Sequence, residues 1–236
     1  MTALALQNLD GMAEMAFCGN MLVVEPSGCL IWPEQKLLVV SDLHLEKGSS
    51  FAARKGVFIP PYDTQATLER LATRIMHWQP ETIISLGDSF HDEDASLRLP
   101  NSYRQNLTQL MQGREWVWIC GNHDPTPPEN LGGTFAQEVH IGNLHFKHEP
   151  ELEFRVGEIA GHLHPCAKIR QRGKSVRRRC VAGDGNRLIL PAFGTFTGGL
   201  NVKDKAYRDL FDLERLTTWM LGRDNVYRIS GKQLVY

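Results

Sequence analysis

Short apolar runs that stop at polar residues recur through the first half of the chain. The run Lys36–Val40 ends just before Asp42, and the run Thr82–Leu86 ends just before Asp88. A third run, Trp116–Cys120, is followed by the tetrapeptide Gly-Asn-His-Asp. Apolar runs of this length, bounded by polar residues, are typical of strands buried on both faces. We therefore predict three buried strands that each present polar side chains at their C-terminal end.

Segments with a helical spacing of apolar residues lie between these strands. The segment Thr64–Trp78 keeps near-helical spacing, and we predict Asp63 or Thr64 as its N-terminal cap. A second helix is predicted over Ser102–Met111. The resulting order is strand, helix, strand, helix, strand.

The N-terminal segment carries a weaker pattern. Residues 1–20 show no strong period, and we expect part of this segment to be loose. The runs Met21–Glu25 and Gly28–Trp32 flank a Pro-Ser-Gly turn. Such a turn between two apolar runs predicts a hairpin.

Beyond Pro128 the chain becomes rich in predicted strands with short turns. The predicted strands are Phe135–Ile141, Leu144–His148, Glu158–Gly161, Val176–Val181 and Arg187–Pro191. Alternating strands and helices followed by a β-rich half favour two sheets packed face to face. We therefore predict an α/β (α+β) fold, a four-layer αββα sandwich of two mixed β-sheets flanked by helices.

Composition places the chain among ordinary globular proteins. Its 236 residues, 42% hydrophobic, predict a single domain over residues 1–236. The formal charge of -1 means that nucleic-acid binding requires a local basic patch. No positive charge precedes Lys36 and no apolar run could span a bilayer, so we expect a cytoplasmic protein. Five scattered cysteines without a CxxC pair are expected to be reduced thiols.

Five polar clusters follow one another along the chain. Each alone is weak, because DxH and Gly-Asp are common in ordinary turns. Four of the five follow an apolar strand directly, and this order favours one shared site. The clusters are Asp42-Leu43-His44, Gly87-Asp88, Gly121-Asn122-His123-Asp124, His148, and Gly161-His162-Leu163-His164.

This order of motifs resembles the calcineurin-like metallophosphoesterases, whose signature is DxH, GD, GNH[DE], H and GHxH. Within that superfamily, residues 41–48, 60–64, 190–194 and 196–199 resemble the bacterial ligase-associated DNA damage response endonucleases, the PdeM family. The closer resemblance covers most of residues 30–200. It implies a nuclease in DNA repair whose partners are a ligase-associated helicase and a DNA ligase.

The resemblance also implies a set of metal ligands. Two cations about 3.5 to 4 Å apart can share a carboxylate and hold a bridging hydroxide, which is the expected nucleophile. Imidazole, carboxylate and amide ligands without a thiolate suit Mn²⁺, Fe²⁺, Zn²⁺ or Ni²⁺, and we favour Mn²⁺. The implied bridge is Asp88, one site is completed by Asp42, His44 and His164, and the other by Asn122, His148 and His162.

By the same resemblance His123 is a catalytic residue that points at the substrate, where it either protonates the leaving oxygen or stabilises the phosphorane charge, and Asp124 is expected to orient it. Many relatives pair this histidine with an Asp three residues after the bridging carboxylate, where this chain has His91. For residues 91–94 we favour a solvated acidic loop. His148 is preferred over His145 as a ligand, because it follows the apolar face of its predicted strand.

A basic segment starts four residues after His164. It is either a solvated hairpin or a surface for the phosphates that flank the scissile one, and we favour the second. Arg54 is a further candidate for the same groove. The basic residues are Lys168, Arg170, Arg172, Lys174, Arg177, Arg178 and Arg179.

Three functions follow from these observations. The leading hypothesis is a metal-dependent phosphodiesterase that cleaves DNA. The alternative is a hydrolase of small phosphate esters or (cyclic) nucleotides, for which the metal centre is the same. A binding module without catalysis is disfavoured, because every expected ligand position and His123 carry competent residues.

Overall fold

The computed structural model describes residues 10–55, 62–126, 131–153 and 155–236, and side chains in these ranges except those of residues 53–55. The first of its two mixed sheets has seven strands in the order β1-β2-β3-β4-β5-β6-β7. Pairing is antiparallel from β1 to β4 and parallel from β4 to β7. The strands are Ala13–Phe17 (β1), Asn20–Val24 (β2), Leu30–Trp32 (β3), Leu37–Val40 (β4), Thr82–Leu86 (β5), Glu115–Ile119 (β6) and Thr134–Ala136 (β7).

The second sheet has nine strands in the order β14-β11-β12-β13-β10-β9-β8, with β15 beside β12 and β16 beside β15. Its β9, β10 and β13 pair in parallel. The strands are Glu138–Ile141 (β8), Leu144–Lys147 (β9), Glu158–Ala160 (β10), Pro165–Gln171 (β11), Lys174–Gly183 (β12), Arg187–Ile189 (β13), Leu200–Asn201 (β14), Thr217–Leu221 (β15) and Val226–Ser230 (β16).

Helices cover the outer face of the first sheet. They are Lys47–Lys55 (α1), Asp63–Trp78 (α2), Ala95–Arg98 (α3) and Asn101–Met111 (α4). Strand β4 is buried on both faces: Leu37 and Val39 pack between the sheets, whereas Leu38 and Val40 pack under the helices. The outer face of the second sheet is covered by segment 202–216, which includes the 3₁₀ turn Lys205–Tyr207. The predicted sandwich of two mixed sheets flanked by helices is confirmed.

The predicted hairpin, the three buried strands and both helices are present. The predicted helix cap is wrong: Tyr62 occupies the cap position without a side-chain hydrogen bond. The Asp63 carboxylate instead accepts from Gly48 N, and Thr64 Oγ1 accepts from Glu46 N, both at 2.8 Å. These side chains therefore hold the start of α1 against α2.

Several further elements differ from the sequence prediction. Strand β1 lies within the segment expected to be partly loose, since residues 13–17 pair with β2. The predicted strand over residues 135–141 divides at Gln137, and β7 and β8 belong to different sheets. The sequence prediction also lacks strands β11, β14, β15 and β16 and helices α1 and α3. No helix within the described ranges combines the length and the apolar composition of a membrane span.

Candidate metal centre

The polar clusters meet at one edge of the sandwich. Strands β4, β5 and β6 are parallel, so the residues that follow them lie at the same end of the first sheet. Strands β9 and β10 are also parallel, and His148 and His162 follow them. A hydrogen bond of 3.1 Å from His162 N to Asp42 Oδ2 joins the two sheets at this edge.

Left-handed backbone conformations are concentrated at this edge. Most side chains strongly disfavour positive φ, and such residues cluster at functional sites. Here the turns that follow β4, β5 and β10 all use this conformation, which directs successive polar side chains towards one point. The residues are Asp42 (φ 52°), His44 (φ 45°), Glu46 (φ 64°), Asp88 (φ 47°), His162 (φ 66°) and His164 (φ 47°).

Asp42, His44 and His164 form the first ligand group, with one donor atom of each within 4.8 Å of the others. The Nε2 atoms of His44 and His164 are 3.4 Å apart. His164 Nε2 lies 3.0 Å from Asp42 Oδ1, yet off the direction that a hydrogen bond requires, so this buried oxygen lacks a bonded donor. Asp42 and His44 are almost completely buried.

Asp88, His148 and His162 form the second group, again within 4.8 Å of one another. His148 Nε2 lies 3.2 Å from His162 Nδ1 and 2.9 Å from Asn122 Oδ1. His148 Nδ1 donates to the carbonyl oxygen of Leu86 at 2.8 Å. Because a carbonyl can only accept, the lone pair of His148 is on Nε2 and faces the group.

Asp88 lies between the two groups. Its Oδ1 is 3.4 Å from His148 Nε2, and its Oδ2 is 3.9 Å from His44 Nε2. Its Oδ1 also accepts from His123 N at 2.9 Å, which fixes the orientation of the carboxylate. One buried carboxylate therefore contacts both groups, as a bridging ligand requires.

Burial and neighbouring charges keep Asp42 ionised and His44 neutral, the forms that bind a metal, but they favour the protonated forms of His164 and Asp88. Burial lowers the pKa of His44 to about 3, so its imidazole is neutral. Burial raises the pKa of Asp42, but the adjacent His164 and the other imidazoles outweigh this effect and lower it to about 2. Burial lowers the pKa of His164, but Asp42 outweighs it and raises the pKa above its usual value. Burial also raises the pKa of Asp88.

The residues present fit two divalent cations. Each group turns carboxylate oxygens and imidazole nitrogens towards a common point. Asp42 Oδ1 is buried without a bonded donor, an arrangement that costs free energy unless a cation compensates it. The ligands are oxygen and nitrogen atoms without a thiolate, a set that suits first-row transition metals.

Sequence reasoning missed Glu149. Its Oε1 lies 3.2 Å from His162 Nε2, and it follows His148 directly in the chain. A carboxylate on the far nitrogen of a ligating histidine fixes its ring and raises its basicity. Glu149 thereby directs His162 Nδ1 towards His148. The acidic residue next to a predicted ligand was the available signal.

His123 lies at the mouth of the centre, but Asp124 does not orient it. The Asp124 oxygens accept from the backbone N–H groups of Gly121 and Phe90, both at 3.0 Å. They hold the turn in place instead. His123 Nδ1 is 2.9 Å from the carbonyl oxygen of His91, and the two rings stack at 5.3 Å.

The segment 91–94 is not a fully solvated loop. Asp92 is buried and pairs with the Arg98 guanidinium at 2.7 Å, whereas Glu93 and Asp94 are exposed. The structure also separates His145 of β9 from His148, which follows that strand. His145 pairs with His140 on the surface, with their Nδ1 atoms 2.6 Å apart, whereas His148 enters the second group.

The basic residues lie on the β11–β12 hairpin and divide into three sets. Arg170, Arg172 and Lys174 are exposed near its tip, roughly 20 to 25 Å along the strand from His164 at about 3.3 Å per residue. Lys168 Nζ donates to an oxygen of Tyr236 at 2.7 Å.

At the base of the hairpin, Arg177 and Arg178 are exposed, and half-buried Arg179 donates to Ala192 O at 2.6 Å. These three arginines line a cavity beside Cys166, two residues after His164. The side chain of Arg54 lies outside the described residues.

A two-sheet sandwich with two groups of hard and borderline ligands around a shared carboxylate defines a metal-dependent phosphoesterase. The chain belongs to the calcineurin-like phosphoesterase family, which matches residues 35–214. Among solved structures it is similar to the nuclease MPE of Pseudomonas putida, with 27% identity, a TM-score of 0.70, and coverage of 92% of this chain and 100% of that one.

A second solved structure, the phosphoesterase Yfce of E. coli, has 15% identity and a TM-score of 0.41 over 82% of this chain and 98% of that one. No curated protein matches the chain.

Proposed function

We propose that this protein is a phosphodiesterase that cleaves DNA. The observation that carries the proposal is the arginine-lined cavity at the base of the β11–β12 hairpin, which adjoins the His164 end of the candidate metal centre. A substrate with one phosphate would use the centre alone, whereas a polynucleotide places further phosphates beside it. The similarity to a solved nuclease over nearly the whole chain supports a nucleic-acid substrate.

The metal ligands of the proposal are Asp88 between the sites, Asp42, His44 and His164 on one side, and Asn122, His148 and His162 on the other. Bound cations of this kind polarise phosphoryl oxygens and lower the pKa of water to near neutrality. Mn²⁺ is the proposed native ion, because nitrogen and oxygen ligands are mixed. Glu149 and the Leu86 carbonyl orient two of the imidazoles.

His123 is the proposed acid for the leaving oxygen. Its Nδ1 donates to the His91 carbonyl, so a proton for transfer must be carried on Nε2. That atom lies 4.0 Å from Asp88 Oδ2 and is partly exposed, so a substrate can reach it.

Arg177 and Arg178 are the proposed phosphate ligands at the base of the hairpin, and the tip residues are proposed only for longer substrates. The role in DNA repair, with a helicase and a DNA ligase as partners, and the cytoplasmic location rest on the sequence alone and stay predictions.

The test is a Mn²⁺-dependent digest of labelled single-stranded, nicked and duplex DNA beside a panel of nucleotides and small phosphate esters. We expect cleavage of at least one DNA substrate with a higher kcat/KM than any nucleotide. The Asp42→Asn variant is the control for a contaminating nuclease. Preference for a nucleotide, with no metal-dependent cleavage of DNA, would replace the proposal with the small-ester alternative.

A further inference from the structure

The loop of residues 192–199 joins the metal centre to the basic hairpin. Near its start, Phe193 N donates to Ser41 O at 2.7 Å, and Gly194 N donates to Asp42 O at 3.0 Å. Directly after it, Leu200 N donates to His164 O at 3.0 Å. Both ends are therefore tied to the backbone of proposed ligands of the first group.

Further contacts fix the middle of the loop. Thr195 N donates to Thr67 Oγ1 of α2 at 3.1 Å, and Thr197 Oγ1 donates to Gly194 O at 2.9 Å. Arg177 donates to Gly199 O and Arg179 to Ala192 O. A loop held at so many points presents its exposed side chains in a defined place relative to the centre.

Phe196 is the exposed side chain at the tip of this loop. It is 56% exposed, and its backbone is left-handed with φ 58°. This conformation is a genuine outlier for a bulky residue and is unfavourable for its backbone. The aromatic ring gains little from burial, so packing does not account for its presence. Strain at a fixed, exposed aromatic residue beside an active site points to a ligand.

The three residues that follow Phe196 line a cavity with the chemistry of a phosphate path. Its volume is about 470 Å³, and Thr197, Gly198 and Gly199 form one wall. Among the described residues that line it there are four arginines and no carboxylate, the fourth arginine being Arg223 from the β15–β16 turn. Arg223 makes no hydrogen bond or ion pair with other residues of the described ranges.

We propose that Phe196 and Arg223 complete a subsite for an unpaired nucleotide next to the scissile phosphate. The Phe196 ring stacks on the base, and Arg223 contacts a phosphate alongside Arg177 and Arg178. Aromatic stacking with a cationic groove is how proteins hold single strands without reading sequence. The inference rests on the proposed function and adds that the strand entering this side must be unpaired, since a base in a duplex cannot expose its face.

The test compares two single-stranded oligomers of equal length, one of thymidine nucleotides and one fully abasic. Both carry the same phosphates, but only the first has bases to stack. We expect Phe196→Ala to raise KM for the thymidine oligomer by about 5- to 140-fold, the range of one base–aromatic stack, and to have far less effect on the abasic oligomer. Phe196→Trp should restore the thymidine KM. The matched control is Leu213→Ala, which removes a side chain of similar exposure, 50%, from another surface.

Arg223→Gln should act differently, because a phosphate contact does not depend on the base. The substitution should weaken the binding of both oligomers to the same extent. It should also flatten the slope of log K against log salt by about 0.7. The control Arg228→Gln removes one positive charge from a different cavity, lined by Glu14 and Asp184. Thermal unfolding of each variant checks that the fold is intact.

If Phe196→Ala changed KM equally for both oligomers, or for neither, the stacking role of Phe196 would be wrong. DNA cleavage by the wild type would not be affected by that result. If the slope of log K against log salt were unchanged in Arg223→Gln, Arg223 would have no role in phosphate binding. If the wild type hydrolysed an aryl phosphodiester but neither oligomer, the proposed DNA substrate would itself be wrong, and the subsite with it.

Discussion

His123 donates from Nδ1 to the backbone carbonyl of His91 across 2.9 Å. Family resemblance leads one to expect a carboxylate in this place, and the sequence offers His91 instead. The main chain of the same residue supplies the acceptor, while its ring stacks on His123 at an interplanar angle of 18°. Because a carbonyl carries no net charge, it fixes the ring and its tautomer without stabilising an imidazolium as a carboxylate would.

His123→Ala should retain both metals but lose rate. We expect a fall in kcat of about 10²-fold or more for diesters with poor leaving groups, since general acid catalysis contributes on that order. An activated aryl ester needs less protonation and should lose less. His145→Ala, a surface histidine of β9, is the control. Equal losses for both kinds of ester would argue against protonation of the leaving group.

Asp88→Asn should impair both metal sites together. Its two oxygens face different groups, and a neutral amide cannot replace a carboxylate shared by two cations. Metal content of the purified variant decides the point. Glu93→Gln removes an exposed charge from the same loop and should keep wild-type content. Two metals per chain and full activity in Asp88→Asn would remove Asp88 from its role.

Gly194→Ala should disturb the junction between the 192–199 loop and the first ligand group. A Cβ at Gly194 would lie 2.1 Å from the backbone oxygen of Leu43, whereas one at Gly198 would meet nothing within 4 Å. Overpacking of this kind typically costs about 1–3 kcal/mol, so denaturant unfolding should show that loss for Gly194→Ala. Gly198→Ala is the matched control. Equal stability of the two variants would contradict the close approach.

Neutralising Arg177 and Arg178 to Gln should weaken DNA binding more than turnover of a small aryl diester. Removing one arginine–phosphate interaction flattens the slope of log K against log salt by about 0.7 for single strands and 0.9 for duplex DNA. Removing two therefore predicts a fall of roughly 1.4 to 1.8 units. Arg179 is left in place, because it is half-buried and donates to Ala192 O; Arg177 also donates to a loop oxygen, Gly199 O, but is exposed, so thermal unfolding of the variant checks that the loop is intact. The control variant neutralises the exposed residues Lys203 and Lys205. An unchanged slope in the arginine variant would show that the hairpin is a solvated surface without a role in DNA binding.

The sequence by itself determined the central layer of the fold and the order of its polar clusters. Strands such as β4 are buried on both faces and are apolar along their whole length, and β5 is apolar apart from Thr82 and Ser85. Their ends are then recognisable as the points where polar residues begin. Parallel pairing brings those ends to one edge, which is why Asp42 and Asp88 could be predicted as neighbours.

The contacts that only the tertiary structure decided join residues far apart in the chain. Gly194 meets Asp42, Glu149 orients His162, and Asp63 binds the start of α1 although its sequence context is that of a helix cap. A local pattern reports burial and period, but not which distant group satisfies a side chain. Packing between the sheets produces the left-handed turns at the proposed ligand positions. It also brings the 192–199 loop to His164, and no local sequence pattern encodes either feature.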